Sequence, residues 1–262
     1  MKEQILEHLP PQHPWRDRVC WFPEMVSTNT EAKKLAQNGA AEGTVLIADA
    51  QTGGRGRMGR SFHSAPGVGV YLSVILRPEC TPDKLMHLTC AVAVAMCKAL
   101  EFATGYRPGI KWINDLIAQG KKLGGILTEL SLNPATGLVD FAIVGIGINC
   151  NQDISAFPEE LQQIATSLKA VLGQEVDRSR LMAAMIEALQ EMAEGLLTEK
   201  TSIMAEYKRN CVTLRQNVYL IRGNSRFPCR ALDLDSEGSL LVEYPDGSQE
   251  FVCSGEVSLR NL

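Results

Sequence analysis

Positive charge is in short supply in this 262-residue chain: 26 Lys and Arg stand against 30 Asp and Glu, for a net charge of −4. A general nucleic-acid binder would carry a basic excess, so no nucleic-acid partner is expected. Metal-ligand spacing is missing as well. The eight cysteines, Cys20, Cys80, Cys90, Cys97, Cys150, Cys211, Cys229 and Cys253, contain no C-x-x-C pair and join no zinc-spaced Cys/His cluster. They read as reduced, partly buried thiols of a cytoplasmic protein. The four histidines, His8, His13, His63 and His87, are scattered, and none is given a catalytic role. No Walker loop G-x-x-x-x-G-K-[ST] occurs. No apolar run reaches membrane-spanning length; the best, Cys90 to Leu100, is broken by Lys98, so no membrane partner is expected. Met1-Lys2-Glu3-Gln4 lacks the apolar core of a signal peptide. No internal repeat or low-complexity tract is visible. A hydrophobic share of 45% and a charged share of 21% describe a globular chain, long enough for one large domain with or without a small appendage.

What the chain does have is concentrated at Gln51-Thr52-Gly53-Gly54-Arg55-Gly56-Arg57-Met58-Gly59-Arg60, with four glycines and three arginines in ten positions. Glycine lets backbone take φ > 0 and approach a ligand closely. Arginine presents a permanently charged fork that matches phosphate and carboxylate. Apolar Thr44 to Ala48 leads in, and the alternating run Val68 to Leu76 leads out. The stretch is either a mobile basic loop between two strands that closes over an anion, or a solvated surface loop.

In chain order, residues 1–18 are polar and Pro-rich and hold one short helix at most. Val19 to Val26 reads as a strand interrupted by Pro23. Ser27-Thr28-Asn29-Thr30-Glu31 opens a helix that Gly39 closes, with Thr28 and Glu31 at capping-box spacing. Its hydroxyls either cap the helix alone or hold a polar ligand at the helix N-terminus. Strands follow near 43–49 and 68–77. Thr81-Pro82-Asp83 caps a long helix ending before Gly105, with Leu85, Leu88, Val92, Met96, Ala99 and Leu100 as its core face. Gly109 to Ile113 is a short strand that runs into a hairpin turning at Gln119-Gly120. Lys111, Asn114, Asp115 and Lys122 lie among its apolar residues, and each is costly to bury without a ligand, a metal or an ion-pair partner. In Val144-Gly145-Ile146-Gly147-Ile148-Asn149, Cys150 stands where a dinucleotide fingerprint needs its third glycine. These glycines instead let a ligand lie against a strand, with Asn149 as a polar contact. Helices are expected from Phe157-Pro158-Glu159-Glu160 to about Leu172, from the Asp177 cap to about Leu197, and over 201–210. Four short strands between Asn217 and Val252, separated by Gly-containing turns, make a barrel of about 50 residues, marginal alone, that leans on the rest.

Taken together, Ser27-Thr28-Asn29, Gln51 through Gly59, Tyr71-Leu72-Ser73, Lys111 through Asp115, Lys122 through Leu127 and Gly145 through Asn149 resemble, in order, the motifs of biotin protein ligases. The match runs from about residue 20 to the C-terminus. It implies an α+β fold: a mixed sheet with helices like the class II aminoacyl-tRNA synthetase core over 19–210, and a C-terminal SH3-like barrel over 211–262. Residues 1–18 would be an N-terminal extension too short for a winged helix, which matches the monofunctional type. Met58 and Phe62 depart from an arginine and a tryptophan seen in some relatives.

The resemblance implies ATP, magnesium and biotin, and as partner a biotin carboxyl carrier protein or domain whose lysine receives biotin. By position, Ser27, Thr28, Asn29 and Gln51 would line the biotin head, with Gly54 beside them. Arg55, Gly56 and Arg57 would enclose the biotin carboxylate and the phosphates. Lys122 would sit at the reacting carboxyl with Lys111 nearby, and Asn114 and Asn149 would face the adenine. Asp115 is the candidate for ordering magnesium or the lysines. A homodimer has no specific signal. A lipoate or octanoyl transferase of the same fold, a DNA-binding repressor and a non-catalytic interaction module are the rival readings. The last leaves Lys111 and Lys122 without a purpose.

Overall fold

Every residue of β3 (Gly69–Leu76) is buried, so this strand is covered on both faces. It belongs to a computed structural model that describes residues 1–223, 225–253 and 255–259. β3 lies in a seven-stranded mixed sheet with β1 (Val19–Met25), β2 (Val45–Gln51), β4 (Gly109–Lys111), β5 (Asp115–Ala118), β6 (Lys121–Leu132) and β7 (Val139–Asn149). Their spatial order is β1-β2-β3-β7-β6-β5-β4. β1 and β2 run parallel, and the other neighbours antiparallel. Gln119 and Gly120 join β5 to β6 with φ of 50° and 77°, the left-handed pair that a tight hairpin turn favours.

β7 shows how the two faces differ. Ala142, Val144, Ile146 and Ile148 enter the main core, which α3 (Leu88–Thr104) and α6 (Arg178–Gly195) cover. Phe141 and Ile143 point the other way and pack with Ala32 and Ala36 of α2 (Thr28–Gln37). Further along that second face come Gly145 and Gly147, where α2 starts and helix cover ends.

Several expectations change. Residues 1–18 hold the short helix allowed for them, α1 (Lys2–His8), which packs on α6, and Ile5, Leu9 and Trp15, from a stretch read as polar, are buried in the core. Trp15 lies flat on Gly43, where an added Cβ would come within 2.1 Å of the ring. The helix expected from Thr81 is split into a 3-10 turn over Pro82–Leu85 and α3. Buried His87 sits at the break, with its Nε2 2.9 Å from Leu196 O. The span 82–104 is long and apolar enough to cross a membrane by composition, yet 72% of its window is buried inside the protein. The helix expected over 157–172 is two short ones, α4 (Glu159–Gln162) and α5 (Leu168–Leu172). Between them Ile164–Thr166 is extended beside β6: Lys122 N donates to Ile164 O and Thr166 N to Lys122 O. Asp177 does cap α6, accepting from Ser179 N and Arg180 N.

After α7 (Lys200–Asn210), a five-stranded antiparallel sheet forms. It consists of β8 (Asn217–Arg222), β9 (Ser225–Leu234), β10 (Leu240–Glu243), β11 (Gln249–Val252) and β12 (Glu256–Leu259), one strand more than expected. It is bolted to the first sheet through the segment after β4. Trp112 Nε1 donates to Gly238 O at 2.8 Å, and Trp112 N to Thr213 Oγ1 at 2.9 Å.

Two buried histidines make stability pH-dependent. His87 donates through Nε2 to Leu196 O, and its buried Nδ1 has no partner among the described residues. His13 accepts from Trp15 N, and its buried Nε2 has no partner among those residues either. Burial pushes both below the ordinary 6.5. The unfolded chain therefore binds protons first: stability is full above 6.5 and is lost as pH falls below it. Thermal melts between about pH 8 and about pH 5 should show this decline, and His13→Gln with His87→Gln should flatten it.

Candidate active site

Strand register draws a line across the sheet. Lys111 faces Asp115, Asp115 faces Gly125, Gly125 faces Gly147, and Gly147 faces Tyr71. The next line on that face holds Leu127, Gly145, Ser73 and Leu46. Opposed residues share a face, so three glycines lie side by side and bare the backbone. Above them is a cleft that encloses about 930 Å³ when its open mouth is included. Its walls are the start of α2, residues 55–62, the Lys111–Asp115 segment, Lys122, and Gly255 with Val257 from the second sheet.

At one end the cleft is a hydrogen-bonded polar surface. The capping box expected from Thr28 and Glu31 does not form, and the N-cap residue Ser27 makes no side-chain cap bond. Gln51 at the end of β2 does the capping: its Oε1 accepts from Thr28 N at 2.8 Å and Thr28 Oγ1 at 3.1 Å. Ser73 Oγ donates to Asn29 Oδ1 at 2.6 Å and lies 2.8 Å from Thr28 Oγ1. Asn29 Nδ2 donates to Leu127 O at 3.2 Å and Glu129 Oε2 at 3.1 Å. Ser27, Thr28, Asn29 and Ser73 are all buried. An unpaired buried group costs about 1–3 kcal/mol, so this network holds its side chains in fixed orientations.

The other end is cationic. Lys122 Nζ pairs with Asp115 Oδ1 at 2.6 Å, one of the three kinds of partner the sequence left open for this hairpin. Arg55 stands nearer the polar end, its Nη1 3.7 Å from Oε1 of Glu129, the carboxylate that also accepts from Asn29. Arg57 reaches across the cleft, donating from Nη1 to Asn114 Oδ1 at 3.0 Å and from Nη2 to Gly255 O at 3.3 Å. Asn114 Nδ2 donates to Ile126 O at 2.9 Å. Lys111 also lines the cleft and has no partner among the described residues. The loop thus lies over the cleft.

The structure brings together Ser27, Thr28, Asn29, Gln51, Arg55, Gly56, Arg57, Lys111, Asn114, Asp115 and Lys122. It leaves Gly54 and Asn149 off the lining. Gly54 is where the two legs of the loop cross: a Cβ there would meet Phe62 O at 2.4 Å. Asn149 is one repeat beyond Gly147 on the same face, and its Nδ2 donates to Thr166 O at 3.0 Å. Because Thr166 bonds to Lys122, Asn149 splices β7 to the segment that holds the lysine. No group of three His, Cys, Asp or Glu among the described residues could hold a metal ion. Sequence reasoning assigned no role to Ser73 or Glu129 and foresaw no contribution from Gly255. A serine within a fully buried strand was the legible signal for Ser73, since such a hydroxyl needs a partner.

The profile of the biotin/lipoate A/B protein ligase family matches residues 21–149, and that of the biotin protein ligase C-terminal domain matches 216–260. The bifunctional ligase/repressor BirA of Bacillus subtilis is 38% identical over 242 residues, 92% of this chain and 74% of that protein. The biotin–[acetyl-CoA-carboxylase] ligase of Mycobacterium tuberculosis is 30% identical, over 88% of this chain and 85% of its own. The biotin protein ligase of Aquifex aeolicus, solved with biotin and ATP, superimposes with a TM-score of 0.77 at 31% identity, covering 93% of this chain and 99% of that one.

The glycine floor can be tested directly. A Cβ on Gly145 would lie 1.8 Å from Asn29 Oδ1, whereas one on Gly125 meets nothing nearer than 3.4 Å, the flexible end of Lys122. Gly145→Ala should therefore cost roughly 1–3 kcal/mol by overpacking, and Gly125→Ala less than about 1 kcal/mol. Urea unfolding of both variants measures the difference.

Proposed function

The chain belongs to the biotin protein ligases, and from that premise we propose that its cleft joins biotin to ATP as biotinyl-5′-adenylate and passes the biotinyl group to a carrier lysine. One observation carries the assignment of roles: a bare glycine floor connects a fixed polar network to a cluster of cations. The polar end, Ser27, Thr28, Asn29 and Gln51, suits the ureido head of biotin, which both donates and accepts hydrogen bonds. The chain between head and carboxylate lies along Gly145 and Gly147, and the carboxylate then points at Lys122 and Arg57.

A carboxylate oxygen attacks the α-phosphorus of ATP, the bond to the bridging oxygen breaks, and pyrophosphate leaves. Negative charge on the phosphoryl oxygens grows in the transition state, and Lys111, Lys122, Arg55 and Arg57 are preorganised to meet it. Asp115 orients Lys122, and Asn114 supports the base end of ATP, while Asn149 acts only from behind, by tying β7 to the segment beside Lys122. Magnesium would supply further charge neutralisation. Asp115 is the carboxylate among the described lining residues, and it already pairs with Lys122, so the fit is to an ion carried mainly by phosphates and water. In the second step the carrier lysine amine attacks the mixed anhydride, AMP departs, and the amine loses its proton. The acceptor is the biotin carrier of a carboxylase. Eight free thiols support a cytoplasmic setting, and the net charge of −4 supports a reading without nucleic acid. Incubation with ATP, magnesium, biotin and a carrier domain should add one biotin to the carrier by mass. No transfer, together with no biotin-dependent pyrophosphate exchange, would sink the assignment.

Two substitutions separate the steps. Lys122→Ala should lower biotin-dependent ATP–pyrophosphate exchange about a hundredfold, the equivalent of roughly 3 kcal/mol for one preorganised donor, with an unchanged fold by circular dichroism. Arg57→Gly removes the two bonds that Arg57 makes across the cleft and frees the open state further. Adenylate synthesis should persist and retention fail, so the variant should biotinylate added serum albumin that the wild type leaves unlabelled, as read on a streptavidin blot.

A further inference from the structure

Behind the polar end of the cleft lies a hydroxyl that lines no part of it. Ser64 is 7% exposed and sits where the chain returns from the Gly-Arg loop. Gln51 Nε2 donates to Ser64 Oγ at 2.9 Å, and Ser64 Oγ donates to Phe62 O at 3.0 Å. The backbones are tied at the same place: Gln51 N donates to Ser64 O at 3.2 Å, and Phe62 N to Gly54 O at 2.9 Å. The crossing leaves no room for a side chain at Gly54, whose Cβ would lie 2.7 Å from Ser64 Oγ.

The direction of each proton follows from chemistry. Phe62 O can only accept, so the single Ser64 proton points at it, and Ser64 must then accept from Gln51. Thr28 N can only donate, so Gln51 Oε1 faces Thr28. The amide is therefore pinned at both ends, and the hydrogen left free is the second one on Nε2. A pinned donor fits a ligand acceptor such as a ureido carbonyl. Phe62, at the other end of the chain of bonds, lays its ring over Gly147, where a Cβ would come within 2.6 Å of it, and packs edge-on against Tyr71 at 6.3 Å.

We propose that Ser64 is a positioning and specificity-determining residue: its hydroxyl holds the Gln51 amide as a donor toward the cleft and ties that amide to the base of the Gly-Arg loop. This rests on the biotin reading of the cleft. Ser64 touches no ligand itself and acts through Gln51 on one side and Phe62 on the other. Head-group binding and loop position are then linked through one hydroxyl.

A double-mutant cycle on the full chain tests it, with biotin titrated calorimetrically into wild type, Ser64→Ala, Gln51→Ala and the double variant. Ser64→Ala should raise the biotin Kd about tenfold, as expected for a lost buried hydrogen bond. The double variant should bind within about twofold of Gln51→Ala alone, because the second substitution removes an effect already gone. Trypsin should cut after Arg55, Arg57 or Arg60 in biotin-saturated Ser64→Ala and spare the saturated wild type. A merely structural serine would lower the melting temperature without this coupling. Should Ser64→Ala fail to fold, Ser64→Cys, close in size and a weak donor, replaces it in the same cycle. Losses that add in the double variant, or wild-type affinity in the Ser64 variant, overturn the proposal. A wild-type chain that binds no biotin overturns the ligase reading and this proposal with it.

Discussion

The register that lines up Gly125, Gly147 and Gly145 is the constraint on which the rest of the site depends. A side chain on Gly145 would displace the Asn29 carboxamide, and one on Gly147 would displace the Phe62 ring. Asn29 is the node between Ser73 and Glu129, and Phe62 is the roof over the floor. A one-residue slip of β7 against its neighbours would turn Gly145 and Gly147 to the face that α3 and α6 cover and put Ile148 on the cleft face. The buried apolar residues of β7 on its other face oppose that slip, so the core that folds the sheet also keeps the floor bare.

Two of the cleft's cations have carboxylate partners inside the protein, and a third is held by neutral acceptors. Lys122 lies on Asp115, Arg55 near Glu129, and Arg57 on Asn114 and Gly255. The Lys122 side chain is 40% exposed and that of Arg55 51%, so these pairs are screened by water. Half-exposed ion pairs contribute at most about 1 kcal/mol, which makes exchanging an internal partner for a ligand phosphate inexpensive. The cations are held in place and can still be released to a ligand.

The second sheet does more than lean on the first. Its anchor is Trp112, between Lys111 on one side and Asn114 and Asp115 on the other, so the segment that lines the cleft also carries the joint. Tyr207 OH donates to Ile113 O at 3.1 Å in the same segment. Gly255 then reaches back to accept from Arg57, closing a circuit from loop to hairpin to second sheet. Movement of the second sheet would therefore be felt at the loop.

The sequence by itself determined the broad fold and most of the lining residues. Alternation, caps and turns report local chemistry, and Gln119-Gly120 and Asp177 did what such signals demand; the alternation over Val68 to Leu76 marked a strand without telling that β3 is buried on both faces. The family motifs brought Ser27 to Asn29, Gln51, Arg55, Arg57, Lys111 and Lys122 onto one list. Tertiary structure alone decided what joins them. Capping of α2 by Gln51, distant in the chain, replaced a local capping box with a cross-strand contact. The helix expected through Ile164–Thr166 yielded to pairing with Lys122, because an open strand edge offers hydrogen bonds that no local pattern announces. Ile5 and Leu9 joined the core because α6, far along the chain, supplies the apolar surface they need. Which glycines are neighbours, and which carboxylate faces which lysine, depends on register between strands, and register is a property of packed faces rather than of any one segment.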